Sequence, residues 1–259
     1  MPERYSGLRE EVIMKYSTLT SYGLLMLTSF AVQASNFSAG GALAVSDPGY
    51  RNMRTEGLPV PLINYEYGDF YIHSLNAGYY LFRDSENDLS LTTGPGTLRY
   101  TPSDSDDSRM KQLDKRRLSV MSGITMNNRF SLGTLRSSAT TDISGNSGGT
   151  TAELAWLYPL RSGNLVLTPG FGVNWHDSQY NRYYYGISAS EARRSGMKQY
   201  SPGDSLAFSM ELSAYYQVNK SWYLTSSVKA TELGGTIRES DMVGSGVSTL
   251  FVAGAGYNF

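Results

Sequence analysis

The sequence contains no cysteine among its 259 residues and only two histidines, His73 and His176. Without cysteine, the chain forms neither disulfides nor thiolate metal sites. So few histidines leave metal clusters and histidine-based catalysis very few positions. A strong positive charge is also missing, because the formal net charge is −1, which argues against a nucleic-acid-binding protein. We therefore expect no metal, no cofactor and no nucleic-acid partner.

Long hydrophobic runs are absent as well. The strongest apolar segment, residues 23–31, follows Lys15 and an uncharged stretch. It is shorter than the ~20 residues of a transmembrane helix. Small residues up to Ala34 resemble a signal peptidase site, so residues 1–34 are predicted to be a signal peptide and 35–259 the mature chain. The acidic residues before Met14 are unusual in such a peptide, which makes Met14 an alternative start.

The end of the sequence alternates with a period of two residues. Residues 246–259 (GVSTLFVAGAGYNF) place apolar side chains on one face, while the other face is small or polar apart from Leu250 and Val252. A half-apolar strand that ends on an aromatic residue is typical of the closing strand of an outer-membrane barrel. We therefore predict that Tyr257 and Phe259 act in barrel assembly. The 20 tyrosines and 27 glycines fit a barrel whose rings lie at the membrane interfaces.

The same alternation recurs along the mature chain and predicts an all-β, antiparallel, up-and-down transmembrane barrel. Eleven strands are predicted, near residues 36–46, 58–67, 70–82, 89–100, 117–127, 130–142, 150–160, 164–176, 206–218, 221–232 and 246–259. An odd number cannot return both ends to the periplasm. The phase breaks within 70–82, and a split there gives 12 strands and places every short turn on the periplasmic side. The alternative discards 58–67 and leaves ten strands.

Several sequence blocks are similar to those of the MipA/OmpV family. They are residues 59–66 (PVPLINYE), 78–81, 112–116, 155–158, 167–170, 183–187 and 191–196, in the family's order. The chain departs from the family at residues 92–96 and in its N-terminal extension. The resemblance implies a Gram-negative outer-membrane protein that docks a lytic transglycosylase, MltA, and a bifunctional penicillin-binding protein for peptidoglycan (murein) synthesis. It implies no catalytic residues, so we expect a scaffold that is not an enzyme.

Two alternative functions remain open from the sequence. One is a small diffusion channel or porin, although barrels of ten to twelve strands are largely filled by side chains, whereas porins typically need ~16–18 strands. The other is a lipid esterase or deacylase at the extracellular rim, with His176, Ser178 and Glu191 as the candidate catalytic group. We interpret these three residues as structural, because a hydrogen-bonded rim histidine is the commoner case.

Other motifs are weaker. Residues 145–149 (GNSGG) match the nucleophile elbow by letters only, because no helix follows a strand there, and a surface turn is expected. Residues 103–108 (SDSDDS) lack the glycine and terminal glutamate of a calcium loop. Cationic side chains in the two longest loops have the chemistry to pair with lipopolysaccharide phosphates: Arg109, Lys111, Lys115, Arg116, Arg117, Arg193, Arg194 and Lys198.

The hairpin of strands 206–218 and 221–232 permits a sharper prediction. A three-residue turn at 219–221 places Val218 opposite Trp222. The same register places Glu211 opposite Lys229 on the lumen face, because lipid disfavours both charges. We predict an ion pair between Glu211 and Lys229 that helps to fill the lumen.

Overall fold

The computed structural model describes residues 37–55 and 57–259, so the predicted signal peptide lies outside the described residues. Within them the chain forms one antiparallel sheet. Its strand segments are β1 (Phe37–Asp47), β2 (Gly57–Tyr67), β3 (Phe70–His73), β4 (Asn76–Arg83), β5 (Asn87–Pro95), β6 (Val120–Phe130), β7 (Gly133–Asp142), β8 (Thr150–Leu157), β9 (Leu160–Ser162), β10 (Leu165–His176), β11 (Ser205–Gln217), β12 (Trp222–Glu232) and β13 (Val247–Asn258).

The sheet closes because its first and last strands pair. β1 pairs with β13 from Ser38 opposite Asn258 to Asp47 opposite Thr249, and β10 pairs with β11. β8 and β9 pair with β10 in one continuous register and are separated at Pro159, which has no N–H to donate. They form one strand of the wall, which gives 12 in the described chain. The predicted all-β antiparallel barrel is confirmed with 12 strands, and the ten-strand alternative is wrong.

The predicted split of residues 70–82 is present. The chain turns at residues 74–75, where Ser74 has a φ of 55°, and the resulting β3 has only four residues. β3 and β4 thus reverse direction part of the way up the wall. This turn points toward the long loops, so the prediction that every short turn lies on the periplasmic side is wrong at this position.

Alternation along the strands separates a lipid face from a lumen face. Apolar side chains such as Phe171, Phe208 and Met210 are exposed on the outside. Polar side chains such as Thr125 and Asn127 are buried inside. Because lipid can hydrogen-bond neither the backbone nor polar side chains, the pairing of backbone groups within the sheet and the inward polar set are what a bilayer requires.

Aromatic rings gather at the end of the barrel that carries both chain ends of the described residues. Phe37 stacks on Phe259 with ring centroids 5.1 Å apart, and Trp222 contacts Tyr257 edge to face at 5.2 Å. The connections at this end are short, namely residues 68–69, 84–86, 131–132, 163–164 and 218–221. Short turns with an aromatic girdle mark the periplasmic end of such a barrel.

Three connections differ from the prediction. The turn expected at residues 127–129 lies instead at 131–132, because β6 continues to Phe130. The strand expected at 89–100 ends at Pro95. The long loop after β10 contains helices α1 (Ser178–Tyr185) and α2 (Ala189–Ser195), and α3 (Gly235–Arg238) lies in the loop before β13. No helix in the described part of the chain has the length and apolar character to cross a membrane.

The long loops at the extracellular end pack into a folded unit. We call residues 48–55, 96–119, 177–204 and 233–246 the extracellular cap. Isolated β-bridges tie its loops together, including Tyr50 with Val243 and Met53 with Ser105. Its buried side chains, together with Met121 of β6, form the largest hydrophobic cluster of the described chain: Tyr50, Tyr100, Met110, Leu113, Tyr180, Tyr184, Tyr185, Ile187, Met197, Leu233, Ile237, Met242 and Val243.

Candidate functional site

Four charged side chains meet inside the barrel and occupy its lumen. Arg136 of β7 donates to Glu153 of β8 over 3.1 Å and to Glu211 of β11 over 3.3 Å. Lys229 of β12 binds the second oxygen of Glu153. The network thus spans the arc of wall from β7 to β12. Each charge has an opposite charge within contact distance, which is how buried ions are tolerated.

Glycine on the intervening strand leaves room for this network. β10 lies between β8 and β11, and its lumen-facing Gly170 stands at the level of the network. A Cβ atom at Gly170 would lie 2.9 Å from Cγ of Glu211 and 2.6 Å from a methyl group of Leu157. Any side chain at this position would therefore force Leu157 and Glu211 to shift.

The hairpin register is the one that the sequence predicts. Glu211 lies directly opposite Lys229, and Val218 donates its backbone N–H to the carbonyl of Trp222 over 2.9 Å. The charged ends of Glu211 and Lys229 nevertheless bind other residues, Arg136 and Glu153. The expected two-residue pair is replaced among the described residues by a four-residue network.

Arg136 and Glu153 were missed by the sequence reasoning although a signal exists. Each is a lone charge in the middle of a spanning strand. A charge at that depth belongs in the lumen, so the same argument that selected Glu211 and Lys229 applied to both.

A second polar cluster fills the lumen nearer the periplasmic end. His73 contacts Glu66 over 3.1 Å, and Arg83 contacts the other oxygen of Glu66 over 3.2 Å. Asp88 is fully buried and binds Arg129. Together with the first network, these groups place charged side chains at two heights of the lumen.

The rim residues proposed as a catalytic group do not meet in the described structure. His176 is stacked on Tyr180 at 5.1 Å, and its Nδ1 atom is buried without a hydrogen-bond partner. Ser178 begins α1, and its backbone N–H donates to Asp204 over 2.7 Å. No hydrogen bond among the described residues joins His176 to Ser178 or to Glu191. Acyl transfer needs a base in contact with both a nucleophile and an orienting acid, and this arrangement has neither contact.

Glu191 instead anchors the extracellular cap. It closes a capping box at the start of α2 with Ser188, and it binds Arg116 at 2.7 Å and the backbone N–H of Asp114 at 2.9 Å. Burial alone would raise the pKa of Glu191, but these hydrogen bonds and the Arg116 charge bring that pKa below its ordinary value. The ionised carboxylate therefore joins two loops of the cap.

The remaining loop motifs are structural. Asp142 accepts from the backbone N–H groups of Ser147 and Gly148 at 2.6 and 2.9 Å, which makes residues 145–149 a tight turn. In the acidic loop, Asp107 pairs with Arg109 at 3.2 Å, which lowers the pKa of Asp107. No group of three or more His, Cys, Asp or Glu side chains is placed to hold a metal ion within residues 37–55 and 57–259.

The periplasmic end presents compact turns with exposed side chains. Leu132 at the turn after β6 is 67% exposed, and Tyr67 is 74% exposed. Phe259 contacts Tyr257 and Phe37 there, and its backbone N–H donates to the carbonyl of Phe37 over 3.3 Å. The predicted assembly residues thus lie where the barrel closes.

Known proteins resemble this chain over nearly all of its described length. A sequence model of the family described as "MltA-interacting protein MipA" matches residues 39–259. The MltA-interacting protein of Escherichia coli (strain K12) is 36% identical over 243 residues, which cover 93% of this chain and 98% of that protein. The outer membrane protein OmpV of Vibrio cholerae is 27% identical over 76% of this chain and 77% of its own length.

Solved structures also align with most of this chain, at low sequence identity. The NanC porin structure covers 86% of this chain and all of its own, with 9% identity and a TM-score of 0.41. A FadL homologue of Pseudomonas aeruginosa has 8% identity and a TM-score of 0.42 over 86% of this chain and 89% of its own. The relatives named as outer membrane proteins place the chain in the bacterial outer membrane. The chain belongs to the MipA family of MltA-interacting proteins.

Proposed function

We propose that this outer-membrane barrel is a scaffold that docks a lytic transglycosylase, and with it a penicillin-binding protein, on its periplasmic side. The name of its Escherichia coli relative supports the first partner. The observation that carries the proposal is the barrel interior, in which charged networks line the lumen and a folded cap lies at the extracellular end. A barrel with charged groups held across part of its interior and a folded cap at its extracellular end offers its periplasmic surface to a periplasmic partner.

The geometry argues against the two alternative functions. A diffusion channel needs a hydrated path, whereas a network of four charged side chains spans the lumen face of the wall from β7 to β12. A rim esterase needs His176 in contact with a nucleophile, and its ring stacks on Tyr180 instead. Within this proposal the protein has no catalytic activity of its own. Binding of lipopolysaccharide phosphates by the cations of the cap stays a prediction.

A pulldown from solubilised outer membranes tests the proposal. The intact protein is captured from envelopes solubilised in mild detergent, and its partners are identified by mass spectrometry. The proposal expects a lytic transglycosylase as a stoichiometric partner and a penicillin-binding protein that is lost when the transglycosylase is deleted. Recovery of neither enzyme would refute the scaffold.

A matched pair of variants at the two ends of β7 tests the docking face. Leu132→Asp places a charge at an exposed periplasmic turn, whereas Ile143→Asp does the same at the 62%-exposed extracellular turn. Loss of a central apolar contact costs an interface ~2 kcal/mol or more. We expect Leu132→Asp to weaken transglycosylase binding at least tenfold and Ile143→Asp to leave it unchanged. The reverse result would place the partner on the extracellular side.

A further inference from the structure

The short β3–β4 hairpin leaves a gap in the extracellular half of the wall. β2 pairs with β1 from Gly57 to Tyr65, but on its other side the pairing with β3 stops at Asn64 opposite His73. On the far side of the gap, the pairing of β5 with β4 stops at Thr93 opposite Ala77. Residues 57–61 of β2 therefore border the gap over roughly 16 Å, at ~3.3 Å per residue.

The free edge of β2 is built so that another strand cannot close it. Ser74 donates its backbone N–H to the Ile63 carbonyl over 2.6 Å and its hydroxyl to the Pro61 carbonyl over 2.8 Å. These bonds show that the odd-numbered positions of β2 direct their backbone groups toward the gap. Pro59 and Pro61 occupy two of those positions and have no N–H to donate. The two prolines therefore keep this edge of β2 from pairing with another strand.

A cavity of about 690 Å³ passes through this gap. Its lining includes Ala44 and Leu250, whose side chains face the lumen and are buried, and also Leu75 and Leu118, which are exposed on the outside. One cavity that touches both faces of the wall crosses it. Its volume falls within the ~300–1,000 Å³ of ligand pockets.

The lower part of the cavity is apolar on a lumen wall that is otherwise polar. Ala44, Leu250 and Val252 form a buried apolar cluster against which Val60 packs. Leu250 and Val252 are the two apolar exceptions on the polar face of the closing strand. Their apolar side chains make a favourable contact if the acyl chain of an amphiphile, rather than water, occupies this part of the lumen.

The upper part of the cavity is cationic. Arg99, Lys115 and Arg117 line it, are exposed, and form no ion pair with any residue that the structure describes. Arg54 joins them; it lies 3.7 Å from Asp106 and donates to the Ser103 carbonyl over 2.6 Å. Among the described residues, Asp47 and Asp104 are the acidic members of the lining. Cations above an apolar slot match an anionic head group above an acyl chain.

We propose that this lateral opening, bordered by Pro59, Pro61 and the hairpin turn at Ser74, binds an anionic, acyl-chain-bearing lipid of the outer leaflet. The chain enters from the bilayer between β2 and the hairpin and lies against Val60 and Leu250. The phosphate of the head group lies above it, beside Arg99 and Arg117. This site is separate from the periplasmic docking surface and does not depend on it.

Photolabelling of the full-length barrel in vesicles tests the site. The probe is phosphatidylglycerol with a diazirine in one acyl chain, compared with phosphatidylcholine that carries the same chain. Bulk lipid reaches lipid-facing residues such as Leu43 and Phe251 but not the lumen-facing Ala44 and Leu250. We expect labelling of Ala44 and Leu250, about tenfold stronger with phosphatidylglycerol, which corresponds to ~1.4 kcal/mol. Labels confined to lipid-facing residues, or equal labelling by both lipids, would overturn the proposal.

Two matched pairs of variants complete the test. Val60→Trp fills the slot, whereas Leu43→Trp adds the same ring to the lipid face of the neighbouring strand. Arg99→Gln with Arg117→Gln removes two cations of the slot, whereas Arg193→Gln with Lys198→Gln removes two elsewhere in the cap. Loss of lumen labelling in the first member of each pair alone supports the site. Heat-modifiable migration reports whether each variant folds. Equal labelling of the two arginine and lysine double variants overturns the head-group contact, whether or not Val60→Trp folds.

Discussion

The barrel wall and the extracellular cap arrange their side chains differently, although tyrosine and apolar side chains are abundant in both. In the wall, apolar side chains point out to lipid and polar ones point inward, so the pattern has a period of two. In the cap the arrangement is that of a water-soluble domain, with Tyr50, Tyr100 and Tyr184 buried at its centre. A tyrosine therefore indicates a membrane interface only when it lies within a spanning strand.

Hydrogen bonds make the buried tyrosines of the cap specific. The Tyr50 hydroxyl donates to the carbonyl of Tyr184 over 3.0 Å, and the Tyr185 hydroxyl donates to the carbonyl of Pro48 over 3.2 Å. Each ring therefore buries apolar area and also ties down a backbone carbonyl that regular structure leaves free. Loops of irregular backbone are held in one arrangement by this means.

The largest expected effect concerns closure of the wall. Deletion of Phe259 removes the ring that stacks on Phe37 and the last backbone contact of β13. We expect outer-membrane insertion and heat-modifiable migration to be lost, while Tyr257→Ala, which keeps the terminal ring, has a smaller effect. If the deletion variant inserts normally, the terminal ring is not an assembly determinant.

The next largest effect is on the stability of the barrel and comes from the ion network in its lumen. Glu153→Gln leaves Arg136 with Glu211 alone and Lys229 without its carboxylate. Removal of one partner from a buried ion network costs ~3–5 kcal/mol. The urea midpoint of barrel unfolding in detergent should fall accordingly. Glu232→Gln, which alters an exposed pair with Arg238, serves as the matched control and should change little.

A smaller effect is expected on the stability of the cap alone, without a change in the barrel wall. Tyr184→Phe keeps the ring but removes a hydroxyl that donates to the Arg117 carbonyl and accepts from the Ser119 N–H. Leaving these buried groups unpaired costs ~1–3 kcal/mol. Limited proteolysis should cleave residues 96–119 and 177–204 faster while heat-modifiable migration of the barrel is unchanged. Simultaneous loss of both would show that cap and wall unfold as one unit.

Acid should loosen the cap by a further, weaker effect. The pKa of Glu191 is lower in the folded protein than its ordinary value of 4.5, so the ionised form stabilises the cap above that pH. This stabilisation is lost as the pH falls below 4.5 through the lowered pKa. Near-ultraviolet circular dichroism of the tyrosines should report the change. In Glu191→Gln the signal should already be weakened at neutral pH and vary less with acid.

The smallest expected effect is at the rim. His176→Ala and Ser178→Ala should leave partner binding unchanged, because neither side chain takes part in a catalytic arrangement in the described structure. Hydrolysis of lipid esters by the purified protein is the readout. An activity that both substitutions abolish in folded protein would establish the rim as an active site.

Much of the wall was predictable because each strand carries its own signal. The register of β11 with β12 follows from Val218 and Trp222 at the ends of one turn, and the phase break at Ser74 locates the hairpin. The cap was not predictable, because its contacts join loops far apart in sequence, such as Arg116 with Glu191. The ion network was half predictable, since alternation places charges in the lumen but does not choose their partners.

Conductance across a planar bilayer tests most directly the claim that this barrel is a closed scaffold rather than a channel. The purified wild-type protein is reconstituted, and current is recorded beside Arg136→Ala with Glu153→Ala, which removes two of the four charges of the lumen network. The account predicts no steady current through the wild-type protein and larger, more frequent openings in the double variant. A steady, uniform wild-type conductance in folded protein would contradict it.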